Sequence, residues 1–219
     1  MGGKLDRKDA EVYVNDVLVM RLSYGDATDL YRINLGWSHQ RGTQSPGFNL
    51  DLERGYWARN PADAEDNDDA AAQGRIQRVV PYVKDTKNAL VVRLEPSRSD
   101  PEMASLQAAL KGAIQKHFQL EPRELSSEPM PATQDRREIL FYEASEGGAG
   151  VLRQIAEDPT ALPLLARRAL EVCHFDPDTL KDNGLETCGK ACYACLLDYG
   201  NQPDHKDLDR YLIRDLLAN

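Results

Sequence analysis

The residues most able to do chemistry in this chain are its cysteines. All four lie in the last third, as Cys173, Cys188, Cys192 and Cys195, in the pattern C-x14-C-x3-C-x2-C. Zinc favours four tetrahedral sulfur or nitrogen ligands, and a close C-x2-C pair lets one tight turn supply two of them. The remaining two must come from elsewhere, here Cys188 and Cys173, and no cysteine is left over. Four protein ligands leave no open coordination position, so such a site is structural rather than catalytic. His174 and His205 are alternative ligands. Three other chemistries compete. Disulfides belong to oxidising compartments, and the N-terminal Met1-Gly2-Gly3-Lys4-Leu5-Asp6 has no apolar core of a secretory signal. A redox C-x-x-C usually opens a helix after a strand, without further cysteines nearby. Buried thiols can also serve as small apolar side chains.

The segment FYEASEGGAG is the second informative motif. A strand, a glycine-rich turn and a helix in that order can present backbone N–H groups to an anion, which makes Gly147, Gly148 and Gly150 candidates. The plainer reading is a tight turn in which glycine permits positive φ and close packing. No G-x-x-x-x-G-K-[ST] phosphate-binding loop occurs anywhere in the chain. Serines, histidines and carboxylates are present, but no spacing singles out a nucleophile and its base.

Between Arg32 and Arg59, basic and aromatic side chains interleave: Arg32, Arg41 and Arg54 with Trp37 and Trp57. Cationic grooves with stacking aromatics hold single-stranded nucleic acid, although aromatics on strands also build cores. The overall field opposes such contact, because the 219 residues carry a formal net charge of −9. Much of that acidity sits in residues 61–73, PADAEDNDDAAAQ, with five acids, no base and no large apolar side chain. That stretch reads as a solvated loop. Residues 1–60 balance eight basic against eight acidic side chains. With 41% hydrophobic residues and a mean hydropathy of −0.58, no apolar run approaches the ~18–20 residues a membrane span needs.

The elements that must position these residues divide into two halves. Residues 1–96 read as β-rich. Val12 to Leu22 form a β-rich stretch with Asn15-Asp16 as a turn, Leu30–Gly36 and Gly47–Leu52 alternate apolar and polar, and residues 75–83 and 88–94 suggest two strands joined by Lys84–Lys87. Residues 97–219 read as mostly helical. Pro101 suits a first helical turn, and Leu106, Leu110, Ile114 and Phe118 recur at helical spacing. Arg137–Glu143 reads as a buried strand. Helical stretches follow from Val151 and over Leu162–Val172. Leu208, Leu212 and Leu216 mark a terminal amphipathic helix, with Asp204 and Asp207 at the positive end of its dipole. The expected class is α+β: an antiparallel sheet or small barrel followed by a helical, cysteine-bearing region.

The segment from YEASEGGAG through CGKACYACLLDYGNQPDHKDLDR resembles the MrfA-type zinc-binding (MZB) domain of superfamily 2 DNA helicases and of associated proteins such as the DrmB subunit of DISARM. The matching positions are Tyr142-Glu143, Gly147-Gly148-Ala149-Gly150, Cys192-Tyr193-Ala194-Cys195-Leu196, Asn201 and Leu208-Asp209-Arg210, within about residues 137–217. Many family members have proline inside the last cysteine pair, and many place a cysteine close before the cluster; this chain does neither. The resemblance implies a zinc-stabilised, non-catalytic, cytoplasmic accessory domain that braces a helicase ATPase core and assists DNA binding, in phage defence or DNA repair. The ATPase lobes themselves are absent from the sequence, as expected either of a C-terminal fragment of a helicase or of a separate interaction subunit that docks onto one.

Overall fold

The computed structural model describes residues 7–36, 46–58, 76–144, 148–183 and 188–219. The acidic stretch 61–73, Trp37, Arg41 and Gly147 lie outside the described residues. The fold is α+β and divides into two compact units. One comprises Met1–Thr28 with Thr86–Asn219, the other Asp29–Asp85.

In the first unit, β1 (Arg7–Val14) forms a hairpin with β2 (Val17–Ile33), whose residues from Asp29 onward belong to the second unit. Asn15 and Asp16 connect them, both with positive φ (49° and 64°). Such a two-residue turn matches the strand twist, and Asn and Asp tolerate the left-handed region better than most residues. The sheet is completed by β6 (Tyr82–Leu94), β7 (Leu125–Ala132) and β8 (Asp135–Glu143), in the order β1-β2-β6-β8-β7; the first residues of β6, through Asp85, also belong to the second unit. Arg137–Glu143 is all but the first two residues of β8, paired on one side with β6 and on the other with β7. Sequence patterning gives no sign of β7, whose two prolines weaken the reading. Its edge position explains how Pro129 and Pro131 are tolerated, because an edge strand has N–H positions that need no ladder partner. The Lys84–Lys87 stretch is not a turn. β6 runs straight through it, since it holds neither glycine nor proline, and the break falls earlier, at Pro81.

Helix α1 (Asp100–Phe118) begins with a reciprocal Ser99–Glu102 capping box and carries Pro101 in its first turn. Leu106, Leu110 and Ile114 are buried and Phe118 is half-buried, on the face the spacing indicates. That helix packs against β7 and β8 and against two later helices, α3 (Ala161–Val172) and α4 (Arg210–Ala218). α2 (Val151–Glu157) fits between β1, β8 and α3. In α4 the buried stripe is Arg210, Ile213 and Leu217, while Leu212 is largely exposed. Of the expected series, Leu208 is buried just before the helix and Leu216 packs against the core, so only Leu212 departs from the apolar face.

The second unit contains a separate antiparallel sheet of β3 (Phe48–Asp51), β4 (Trp57–Ala58) and β5 (Ile76–Val79), ordered β4-β3-β5. Phe48 packs on Trp57, with ring centroids 5.4 Å apart.

Candidate metal centre

The site is built where α3 ends. Cys173 is the C-cap, and the next residue, His174, adopts a left-handed conformation with φ of 62°. The Phe175 amide donates to the Leu170 carbonyl and the His174 amide to the Glu171 carbonyl. This is a Schellman turn, whose left-handed position usually holds glycine. A histidine there stores roughly 1–2 kcal/mol of backbone strain, which the surroundings must outweigh. The turn sends the chain back on itself. The Asn183 amide donates to the His174 carbonyl at 2.7 Å, and Phe175 bridges to Asp182.

The second arm is the Cys188–Leu197 loop. The Cys195 and Leu197 amides both donate to the Cys192 carbonyl at 3.0 Å. This one tight turn brings the Cys192 and Cys195 sulfurs to 3.5 Å, and Cys188 Sγ lies 3.8 Å from Cys195 Sγ. His174 Nε2 lies 3.3 Å from Cys192 Sγ. The four ligand atoms of His174, Cys188, Cys192 and Cys195 all fall within 4.8 Å of one another. Tetrahedral zinc with ~2.3 Å Zn–S bonds requires ligand atoms about 3.5–3.8 Å apart, and these three separations match that spacing or fall just under it. The sulfur contacts are far longer than a ~2.05 Å disulfide bond. The donor set fits zinc.

The geometry differs from the spacing argument at one position. Cys173 is fully buried beside the cluster, yet the fourth ligand atom gathered there belongs to its neighbour, His174. Cys173 sits where the last helical turn faces the core, whereas the left-handed step at His174 directs the imidazole to the cysteines. His205 stands apart. Its Nε2 contacts the Asp198 carbonyl and Asn201, and its ring meets Tyr193 edge-on.

Electrostatics separate the four thiols. Burial pushes Cys173 up to about 12. Burial, then the hydrogen bond with Cys192, pushes Cys188 up to about 12. Burial also raises Cys195. In Cys192 burial opposes ionisation, but hydrogen bonds from His174, Cys188, the Ala194 amide and Cys195 hold the thiol down at about 6. Cys192 is thus the thiolate available first, and a bound dication would ionise the others outright.

The glycine-rich turn has a different task. Glu143, buried at the end of β8, accepts from the Leu152 amide at 3.1 Å, the Gly150 amide at 3.3 Å and the Asn88 side chain at 3.0 Å. The amides at the start of α2 therefore face a carboxylate built into the chain. A Cβ on Gly148 would lie 1.8 Å from Glu143 Oε2, so the turn closes over this carboxylate only with glycine there. The sequence places Glu143 only within the family resemblance, as Tyr142-Glu143, and assigns it no role; its position directly before the turn is the signal for one.

Of the basic–aromatic residues, Arg32, Arg54 and Trp57 are exposed in the Asp29–Asp85 unit. Arg54 Nη1 reaches the Tyr56 hydroxyl at 3.4 Å. Tyr31 and Tyr82 pair with centroids 6.0 Å apart, and Lys84 lies over the Tyr31 ring. Tyr31, Ile33, Leu35, Tyr82 and Val83 are each more than half exposed.

Comparison with known proteins agrees with the chemistry of the site. Residues 106–196 match the family model of the MrfA Zn-binding domain, a span that contains all four clustered side chains. Over that segment the chain is thus similar to the MrfA Zn-binding domain, and the clustered donor set fits zinc. Among solved structures, the crystal structure of DUF1998 helicase MrfA bound to DNA is similar over 97% of this chain, at 10% identity and a TM-score of 0.45. The chain spans 25% of that protein's length. No curated protein matches the chain by sequence. Among the described residues no helix is long and apolar enough to cross a membrane.

Proposed function

We propose that this MZB-bearing chain is a non-catalytic, zinc-stabilised accessory module of a DNA helicase, with His174, Cys188, Cys192 and Cys195 as the zinc ligands. The observation that carries the reading is the convergence of those four side chains inside the segment that matches the MrfA Zn-binding domain. Zinc supplies a crosslink between the α3 exit and the cysteine loop, a region with little regular structure of its own. Reduced thiolates as ligands suit the cytoplasm. The module braces an ATPase core, either in the same polypeptide or as a separate subunit, and serves phage defence or DNA repair.

Two features of the second unit support an attachment role. Its Tyr31, Ile33, Leu35, Tyr82 and Val83 are exposed, and exposed apolar surface marks interaction sites. Arg32, Arg54 and Trp57 supply cations and an aromatic face of the kind that holds single-stranded DNA.

The test is a fluorescence-anisotropy titration of a labelled oligothymidine with the zinc-loaded chain at low and moderate salt. Weak, strongly salt-dependent binding is expected, reduced at least tenfold in an Arg32→Glu/Arg54→Glu double variant of unchanged circular dichroism. Binding that the double variant leaves intact would remove this surface from the DNA path. No binding at low salt would leave bracing of the ATPase core as the function.

A further inference from the structure

The zinc ligands sit on two separate arms of chain, and a third element ties those arms together without touching the metal position. Arg210, in the first turn of α4, is 1% exposed and is the largest fully buried side chain among the described residues. A guanidinium taken out of water must have its donors met in place. Here Nε donates to the Gly189 carbonyl at 2.9 Å, and Nη1 to the Cys173 carbonyl at 3.0 Å and Asp182 Oδ1 at 2.9 Å. Nη2 donates to the Cys188 carbonyl at 3.2 Å, to the Tyr211 hydroxyl and to Asp182 Oδ2. The group also lies over two rings that meet edge-on, 4.9 Å from the Phe175 centroid and 4.5 Å from that of Tyr211. The Arg210 amide adds a bond to the Lys190 carbonyl at 2.9 Å.

These acceptors are not scattered. The Cys173 carbonyl belongs to the peptide group that leads into His174. Cys188 is itself in the cluster, and Gly189 and Lys190 follow it. Asp182 and Phe175 are the bridged pair that folds the α3 exit back. One planar cation therefore fixes the spacing between the His174 arm and the Cys188 arm. It does so through backbone atoms, leaving the ligand side chains free for metal.

We propose that Arg210 is the positioning residue of the zinc centre: it holds the two ligand arms at coordinating distance and so sets zinc affinity and the rate of zinc release. Docking of α4 and retention of zinc become one coupled event. Loosening α4 loosens the metal, and bound metal holds α4 in place. The inference rests on the ligand set given above and deepens it.

The experiment measures zinc release from the purified full chain to excess chromogenic chelator under native conditions. Partners that orient ligands from outside the coordination sphere typically contribute 10–100-fold to metal affinity. Arg210→Met is expected to release zinc roughly 10–100-fold faster than the parent. Arg210→Lys is expected to restore less than half of that difference on a logarithmic scale, because one ammonium cannot span acceptors on both arms. Asp182→Asn, which keeps the shape and removes the anionic partner, provides the measurement if Arg210→Met does not fold, and should release faster by about threefold or more. Leu90→Ala, in the sheet away from the zinc arms, is the stability control and should leave the release rate near that of the parent. A parent-like rate in Arg210→Met or in Asp182→Asn overturns the proposal, as does full rescue by lysine. Equal acceleration in Leu90→Ala overturns it too, since the effect would then be general destabilisation. A parent chain that holds no zinc overturns the ligand reading itself, which distinguishes the two failures.

Discussion

Replacing His174 with glycine separates ligand loss from backbone effects. At φ 62° the histidine is strained, and glycine is not. The exchange should therefore relieve roughly 1–2 kcal/mol of strain in the metal-free protein, so that any loss must come from the missing imidazole. Structural zinc sites in small peptides contribute about 10–16 kcal/mol. Divided over four ligands, one ligand accounts for about 2.5–4 kcal/mol, or roughly 60- to 1,000-fold in affinity. Cys173→Ala is the matched comparison. Its thiol is fully buried, so truncation should lower stability by about 1–2 kcal/mol through lost packing while zinc affinity stays within about threefold. Zinc content by elemental analysis, chelator competition, and the absorption bands of the cobalt-substituted protein measure both variants. The parent cobalt spectrum should be that of three thiolates and one imidazole. The reasoning is refuted if Cys173→Ala strips the zinc, or if His174→Gly retains it with undiminished affinity.

Two further outcomes follow from the packing. Gly148→Ala should lower stability by roughly 2–4 kcal/mol, because a Cβ would collide with the Glu143 carboxylate and the position has a φ of +63°; a change under about 0.5 kcal/mol in a denaturant titration would contradict the Glu143-centred turn. Asp26 is held below the ordinary carboxylate value by hydrogen bonds from Arg153 and then Tyr24. A depressed acid contributes stability above its unfolded pKa and loses it as pH falls through the folded value. Asp26→Asn should therefore lower stability by about 0.5–1 kcal/mol near neutrality, and the gap should close between about pH 5 and pH 2. A gap that stays constant over that range would show that the carboxylate charge is not responsible.

What the sequence determined by itself is whatever depends on near neighbours. The C-x2-C pair sets two candidate zinc ligands on one turn. The Asn15-Asp16 dipeptide sets the first hairpin, and Ser99-x-x-Glu102 starts α1, whose Leu106, Leu110 and Ile114 stripe finds the core as spaced. Spacing gives reach but not direction, and direction was settled in three dimensions. Cys173 and His174 are adjacent in sequence, yet successive helical residues point about 100° apart, and the left-handed turn after α3 widens the difference. Only the docked cysteine loop decides which of the two side chains faces the cluster. The same holds for Arg210, which a hydropathy pattern places on the surface and which is buried because Asp182, two aromatic rings and three carbonyls from distant segments converge on it. The glycine-rich turn reads as an open anion site until β8 brings Glu143 beneath it. For the cysteine cluster and for Arg210 the deciding interactions join separate segments of the chain, and their strength comes from burial, which no local window of sequence contains.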